Sequence, residues 1–223
     1  MAEERRAAGE RPRQSRRAPT EVQDLVLAAA HELFAEEGYH GTKTKEIALR
    51  AGVGESVVFR NFGSKAELFE VSILKPFTDF LDGWAASWSR EPLAAADPEE
   101  ITRSFVVGFH GVVTEHREVL LTLMTAGVKG ADVTLATVAA SVSARFSEQL
   151  RIMRDLLLEH GGARHWSGID PPATVAVAVG SVLSMVLLDD WIFPTGERRP
   201  GRARQIEELT QMLLHGVSHR PAP

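Results

Sequence analysis

Between Gly52 and Lys65 the chain reads GVGESVVFRNFGSK, and three side chains in succession there, Glu55, Ser56 and Val57, carry a carboxylate, a hydroxyl and an isopropyl group. Placed on the first turn of a helix, such a trio can accept from a cytosine amino group, meet either kind of base edge and touch a thymine methyl. Glu55 has a second reading as a first-turn acid favoured by the helix dipole. Thr42, Lys43 and Lys45 cluster ahead of one short helical pattern and Lys65 opens a later one. Donors at those helix ends suit phosphate oxygens. Arg60 adds a guanidinium and Asn61 an amide that can donate to phosphate, whereas Phe59 can only pack. Bond-breaking chemistry has no comparable support. HExxH, GxSxG and phosphate-loop motifs are absent from the sequence and His110 and His116 do not share a helical face, so no catalytic residue, metal ligand or cofactor is assigned.

The elements that must hold these residues are helical. Val22, Leu25, Val26, Ala29, Ala30, Leu33 and Phe34 recur at the spacing of one apolar helix face. Thr20 and Gln23 read as a capping box, and Gly38 as the stop. A second helix is expected over about 42–51, with Ile47, Ala48 and Ala51 inward and Gly52 ending it. Ser64 and Glu67 form another capping box ahead of Leu68, Phe69 and Ile73. Residues 56–62 are β-prone by composition, but a strand there would have no period-two neighbour to pair with. As a helix, the stretch places Val58 and Phe62 at i, i+4 on the inward face, with Gly54 as N-cap. Two short helices joined by the tight link 51–54 make a helix-turn-helix, whose second helix enters the major groove of DNA N-terminus first.

The segment TKTKEIALRAGVGESVVFRNFGSKAELF, Thr42 to Phe69, resembles the DNA-binding region of the TetR family of bacterial transcriptional regulators in length, glycine placement and its closing aromatic-plus-Ser-Lys segment. The specific resemblance covers about Thr20 to Glu70. It departs from the family's usual pattern at Phe59, where a tyrosine commonly donates to phosphate, at Asn61, where histidine is frequent, and at Glu55, where lysine is common.

Beyond residue 66 the chain reads as a helical bundle. Phe77, Phe80, Leu81, Trp84 and Trp88 continue the fourth helix, with Pro76 expected to kink it. Asp97, Pro98 and Glu100 start another, Arg117 to Val128 is shorter, and a long one from Leu135 ends at Gly161-Gly162. Ala173 to Leu188 is apolar on nearly every side and requires a cover. The resemblance implies that 171–192 and 202–217 pair with their copies in a homodimer. Trp84, Trp88, Phe105, Phe109, Met124, Phe146 and Met185 fall on inward faces and are candidates to line a cavity for an apolar or aromatic small molecule. Asp189 and Asp190 could meet a cationic effector or pair with Arg198, Arg199 or Arg202.

The chain of 223 residues, 44% hydrophobic and 25% charged with a net charge of −5, fits an ordinary globular protein and argues against one that coats nucleic acid indiscriminately. It has no cysteine, which excludes disulfides and thiolate metal sites and agrees with a reducing cytoplasm. The Arg-rich segment before Thr20 lacks the apolar core of a secretory signal, and the apolar run 171–188 is short for a membrane span. The expectation is an all-α chain with a basic arm (1–19), a three-helix DNA-binding domain (20–66), a helical effector-binding and dimerisation domain (67–218) and a tail (219–223). The arm suits a phosphate backbone or minor groove, or is a solvated tail. The implied function is a cytoplasmic regulator, a repressor, that binds a two-fold-symmetric operator in double-stranded DNA as a homodimer and is released by a small effector. The rival reading is an architectural or nucleoid-associated factor with no effector.

Overall fold

The computed structural model describes residues 18–88, 97–126, 132–163 and 169–218. Every regular element among them is an α-helix: α1 (Pro19–Gly41), α2 (Thr44–Arg50), α3 (Glu55–Phe62), α4 (Lys65–Trp88), α5 (Pro98–Glu115), α6 (Arg117–Ala126), α7 (Val133–Ala163), α8 (Pro171–Leu187), α9 (Asp189–Ile192) and α10 (Arg202–Ser218). The basic arm up to residue 17 and the tail 219–223 lie outside the described residues.

Two apolar cores organise these helices. The first takes Val26, Ala30, Leu33 and Phe34 from α1, Ile47 and Ala48 from α2, Val58 and Phe62 from α3, and Leu68, Phe69 and Ile73 from α4. Val119 and Leu123 of α6 and Leu135 and Val138 of α7 complete it. Burying each of the large side chains contributes about 1.5–3 kcal/mol, enough to override the strand preference of residues 56–62. Val58 and Phe62 are 1% and 9% exposed, as the helical reading requires. The second core joins Phe77 and Leu81 of α4, Phe105, Val106, Phe109 and Val113 of α5, four valines of α8 and Leu209 of α10.

Helix ends differ in places from the sequence expectation. Ala18 holds the N-cap of α1 without a side-chain bond and Pro19 takes the first turn, where its missing N–H is no loss and its fixed φ suits the helix. The Thr20–Gln23 capping box therefore does not form. Gly38 leaves helical geometry at φ 69°, and α1 resumes briefly to Gly41. α4 runs through Pro76 without interruption; Ile73, Leu74 and Phe77, all buried, hold the helix on both sides of the missing hydrogen bond. α7 contains Gly161 and Gly162 in its last turn and closes at Ala163. The cap of α5 forms as read, Asp97 accepting from the Glu99 amide at 3.0 Å, and Asp170 caps α8 by accepting from the Ala173 amide at 3.0 Å.

The segment 171–192 divides at Leu188 into α8 and α9. Arg117 stitches this corner: its Nε donates to the Val186 carbonyl at 3.1 Å and its Nη2 to Asp189 at 3.0 Å. Arg199 donates to both Asp189 and Asp190, so the two acids are paired with cations of this chain. Val177 of α8, Trp191 of α9 and Met212 of α10 are 58%, 89% and 63% exposed in the single chain. Among the described residues no helix is long and apolar enough to cross a membrane.

Candidate nucleic-acid interface

The link between α2 and α3 is set by local backbone geometry. Ala51 closes α2, Gly52 takes φ 66°, and Gly54 caps α3 in the extended region. A side chain at Gly52 would be strained, because positive φ drives Cβ toward the backbone. The turn leaves Ser56 and Arg60 exposed, and Phe59 44% exposed, while Glu55 and Val57 are half-buried. Ser56 and Arg60 are thus the free polar groups of the outward face. Glu55 is engaged: its Oε1 accepts from the Thr44 hydroxyl at 2.6 Å, tying the start of α2 to the start of α3. Asn61 donates to the Val57 carbonyl at 2.7 Å and accepts from Gln23 at 3.4 Å. It braces α3 against α1.

The lysines divide in the same way. Lys43 and Lys45 are exposed at the first turn of α2, and Lys43 makes a solvent-screened pair with Glu46 at 3.3 Å, worth under about 1 kcal/mol. A phosphate can replace such a partner. Thr42, read from sequence as a third donor of this group, is 1% exposed and turns inward. Its hydroxyl lies 3.0 Å from the Leu33 carbonyl and 2.8 Å from the Gly38 carbonyl, so it closes the end of α1 and is not turned toward solvent. Lys65 is half-buried at the start of α4 with its ammonium 4.5 Å from the centre of the Tyr39 ring. Partial burial pulls its pKa down from the ordinary lysine value. Tyr39 was missed by sequence reasoning because it follows the Gly38 break; its ring reaches Phe34 and Phe69.

Arg50 straps α2 to α1 through Glu32 and Glu36 at 3.4 and 3.2 Å. Phe62 passes into α4 through a tight turn in which the Ser64 amide donates to the Phe62 carbonyl at 2.8 Å across Gly63, at φ 72°. The Ser64 hydroxyl then accepts from the Glu67 amide at 3.1 Å, the cap read from sequence. What results is a short, rigid unit that presents a hydroxyl, a guanidinium and an aromatic edge on one helix, flanked by lysines at two helix starts.

A cavity of about 260 Å³ lies farther along the chain, walled by Ile73, Leu74 and Phe77 of α4, Leu120, Leu123 and Met124 of α6, Ala139, Val142, Ser143 and Phe146 of α7, and Leu183 and Leu187 of α8. Among the described residues Ser143 is the sole polar side chain of this lining. Of the residues proposed from sequence, Met124 and Phe146 line it. Trp84 instead meets Phe105 at a tilt, centroids 5.2 Å apart, and Phe105 stacks on Phe109 at 5.4 Å. Met185 packs against the second core, and the side chain of Trp88 lies outside the described residues. The sequence ranked aromatic bulk, whereas the cavity is mostly aliphatic.

Comparison with known proteins agrees with this geometry. The family model described as bacterial regulatory proteins, tetR family, matches residues 26–71. The HTH-type transcriptional activator FasR of Mycolicibacterium smegmatis is 29% identical over 220 residues, 98% of this chain and 93% of that protein. A solved TetR-family regulator from Mesorhizobium loti superposes with a TM-score of 0.66 at 17% identity, over 91% of this chain and 98% of its own. The regulator FadR from Bacillus subtilis, solved with stearoyl-CoA, gives 0.61 at 16% identity, over 87% and 98%. At these identities the solved structures establish the shared fold.

Proposed function

We propose that this chain, which belongs to the TetR family of bacterial transcriptional regulators, binds a two-fold-symmetric operator as a homodimer and is controlled by an apolar effector held in the cavity between α4, α6, α7 and α8. The observation that carries the reading is the paired placement of two helix starts bearing Lys43, Lys45 and Lys65 around an outward α3 that offers Ser56, Val57, Phe59 and Arg60. Phosphate contacts by the lysines would fix register, and α3 would read base edges. Glu55, held by Thr44, orients α3 and in this reading is not itself a base contact.

Dimerisation supplies the second half-site. The recognition helices of a two-fold regulator must sit about 34–36 Å apart, which a single subunit cannot provide. Val177, Trp191, Ile192 and Met212 form exposed apolar surface on α8, α9 and α10 that a second copy would cover.

The cavity is coupled to the DNA-binding unit through shared residues. Ile73 and Leu123 belong to the amino-terminal core and also wall the cavity, and α4 is one helix from Lys65 to the cavity wall. An effector that fits one spacing of the two DNA-binding units better than another shifts the population by that difference in affinity. The lining favours an alkyl or aromatic group, in keeping with the stearoyl-CoA bound by the Bacillus subtilis protein. Among the described residues the lining holds no carboxylate to balance a cationic effector.

Repression follows if the operator overlaps a promoter; the relative matched over nearly its whole length is named an activator, and activation follows if the operator lies upstream. Sequencing the genomic fragments retained by the purified protein, followed by titration of those fragments with saturated and aromatic acyl compounds, tests the whole reading. Recovery of a palindromic site whose affinity changes with ligand supports it. Fragments without a shared site, or affinity indifferent to every cavity ligand, favour an architectural role.

A further inference from the structure

The junction between the DNA-binding unit and the rest of the chain contains a feature that neither DNA nor effector binding uses. His31 projects from α1, and Glu115 and His116 close α5 just before α6 begins. The two Nδ1 atoms are 3.1 Å apart and the rings meet edge to face with centroids at 4.2 Å. One donor atom from each of the three residues lies within 4.8 Å of the other two. His116 is 4% exposed, His31 is half-buried and Glu115 is exposed.

We propose that His31, Glu115 and His116 form a binding site for zinc that clamps α1 to the α5–α6 corner. With Zn–N bonds of about 2.0–2.1 Å, two imidazole ligands of a tetrahedral ion stand about 3.3 Å apart. The observed Nδ1 separation is close to that edge. The His116 ring is held by packing, its centroid 5.8 Å from that of Phe77, and the exposed Glu115 carboxylate is free to swing in as the third ligand. The fourth position is open to water. Two nitrogens and one oxygen suit a borderline divalent ion such as zinc, whereas calcium and magnesium prefer all-oxygen shells.

The protonation state is favourable too. Burial, with the neighbouring His31 as a lesser cause, holds the His116 pKa down at about 4, and burial lowers that of His31 against the pull of Glu115 and Glu32. Both shifts favour the neutral imidazole, the form that binds a metal. Without the ion, the short contact is a hydrogen bond between one Nδ1–H ring and one Nδ1 acceptor. With it, α1 of the DNA-binding unit is tied to the helix corner that leads into α6, which walls the cavity.

The test is independent of operator and effector. Untagged full-length protein, stripped with EDTA, is titrated with zinc by calorimetry and with cobalt(II) by visible absorption. The expected result is one ion per subunit, ligand-field bands for cobalt that zinc displaces, and an unfolding temperature that rises with zinc. Affinity should fall at least about tenfold in Glu115→Gln and binding should vanish in His31→Gln. Because Glu115 is exposed, its substitution keeps the test decisive if His31→Gln fails to fold. No binding at micromolar zinc, or undiminished binding in Glu115→Gln or in a folded His31→Gln, overturns the proposal.

Discussion

Lys65 opens α4 with its ammonium over the Tyr39 ring. Lys65→Ala should weaken binding to any duplex similarly and lower the slope of log affinity against log salt by roughly one unit. Fluorescence anisotropy at several salt concentrations measures this, and an unchanged slope removes Lys65 from the phosphate contacts. Thr42 is the contrasting residue. Its buried hydroxyl serves the Leu33 and Gly38 carbonyls, so Thr42→Val should cost about 1–3 kcal/mol of stability without altering the salt slope. Chemical denaturation and the same anisotropy series separate the two effects.

At the scale of helices, the passage from α3 to α4 turns on Gly63. Its φ of 72° and ψ of −67° describe a strained three-residue turn, and a Cβ there would fall 2.1 Å from a Glu67 carboxylate oxygen. Gly63→Ala should therefore destabilise the chain by roughly 1–3 kcal/mol and misplace Lys65 relative to α3, which a lowered unfolding midpoint together with weaker DNA binding would show. The cavity makes a second prediction at this scale. Ala139 lies on its α7 wall, and Ala139→Phe should fill the space, leaving DNA affinity within a few-fold of the parent while abolishing its response to the effector. A variant that still responded would place the effector elsewhere. α7 is anchored to α4 beside this wall by Glu70, which accepts from Ser141 at 2.7 Å and pairs with Arg145 at 3.0 Å.

The whole molecule is expected to act as two copies. Val177 is 58% exposed on α8, and Val177→Glu should convert the dimer to monomers in analytical ultracentrifugation while leaving helix content unchanged, with operator affinity falling by more than about a hundredfold as one half-site is lost. A variant that stays dimeric would move the interface off α8. The helical kind of the elements, the inward pair Val58 and Phe62, the Gly54 cap and the acids capping α5 and α8 were legible in the sequence, because helix periodicity and capping act over three or four residues. The same local reasoning could place Ser56 and Arg60 on an outward face. It could not show that Thr42 turns inward, that Thr44 holds Glu55, that Tyr39 lies under Lys65 or that Met124 and Phe146 share a cavity with aliphatic neighbours. Nor could it bring His31 to His116 across 85 positions of chain. Those pairings depend on how packed helices are rotated about their axes and which faces meet, and that is fixed only when the two apolar cores close.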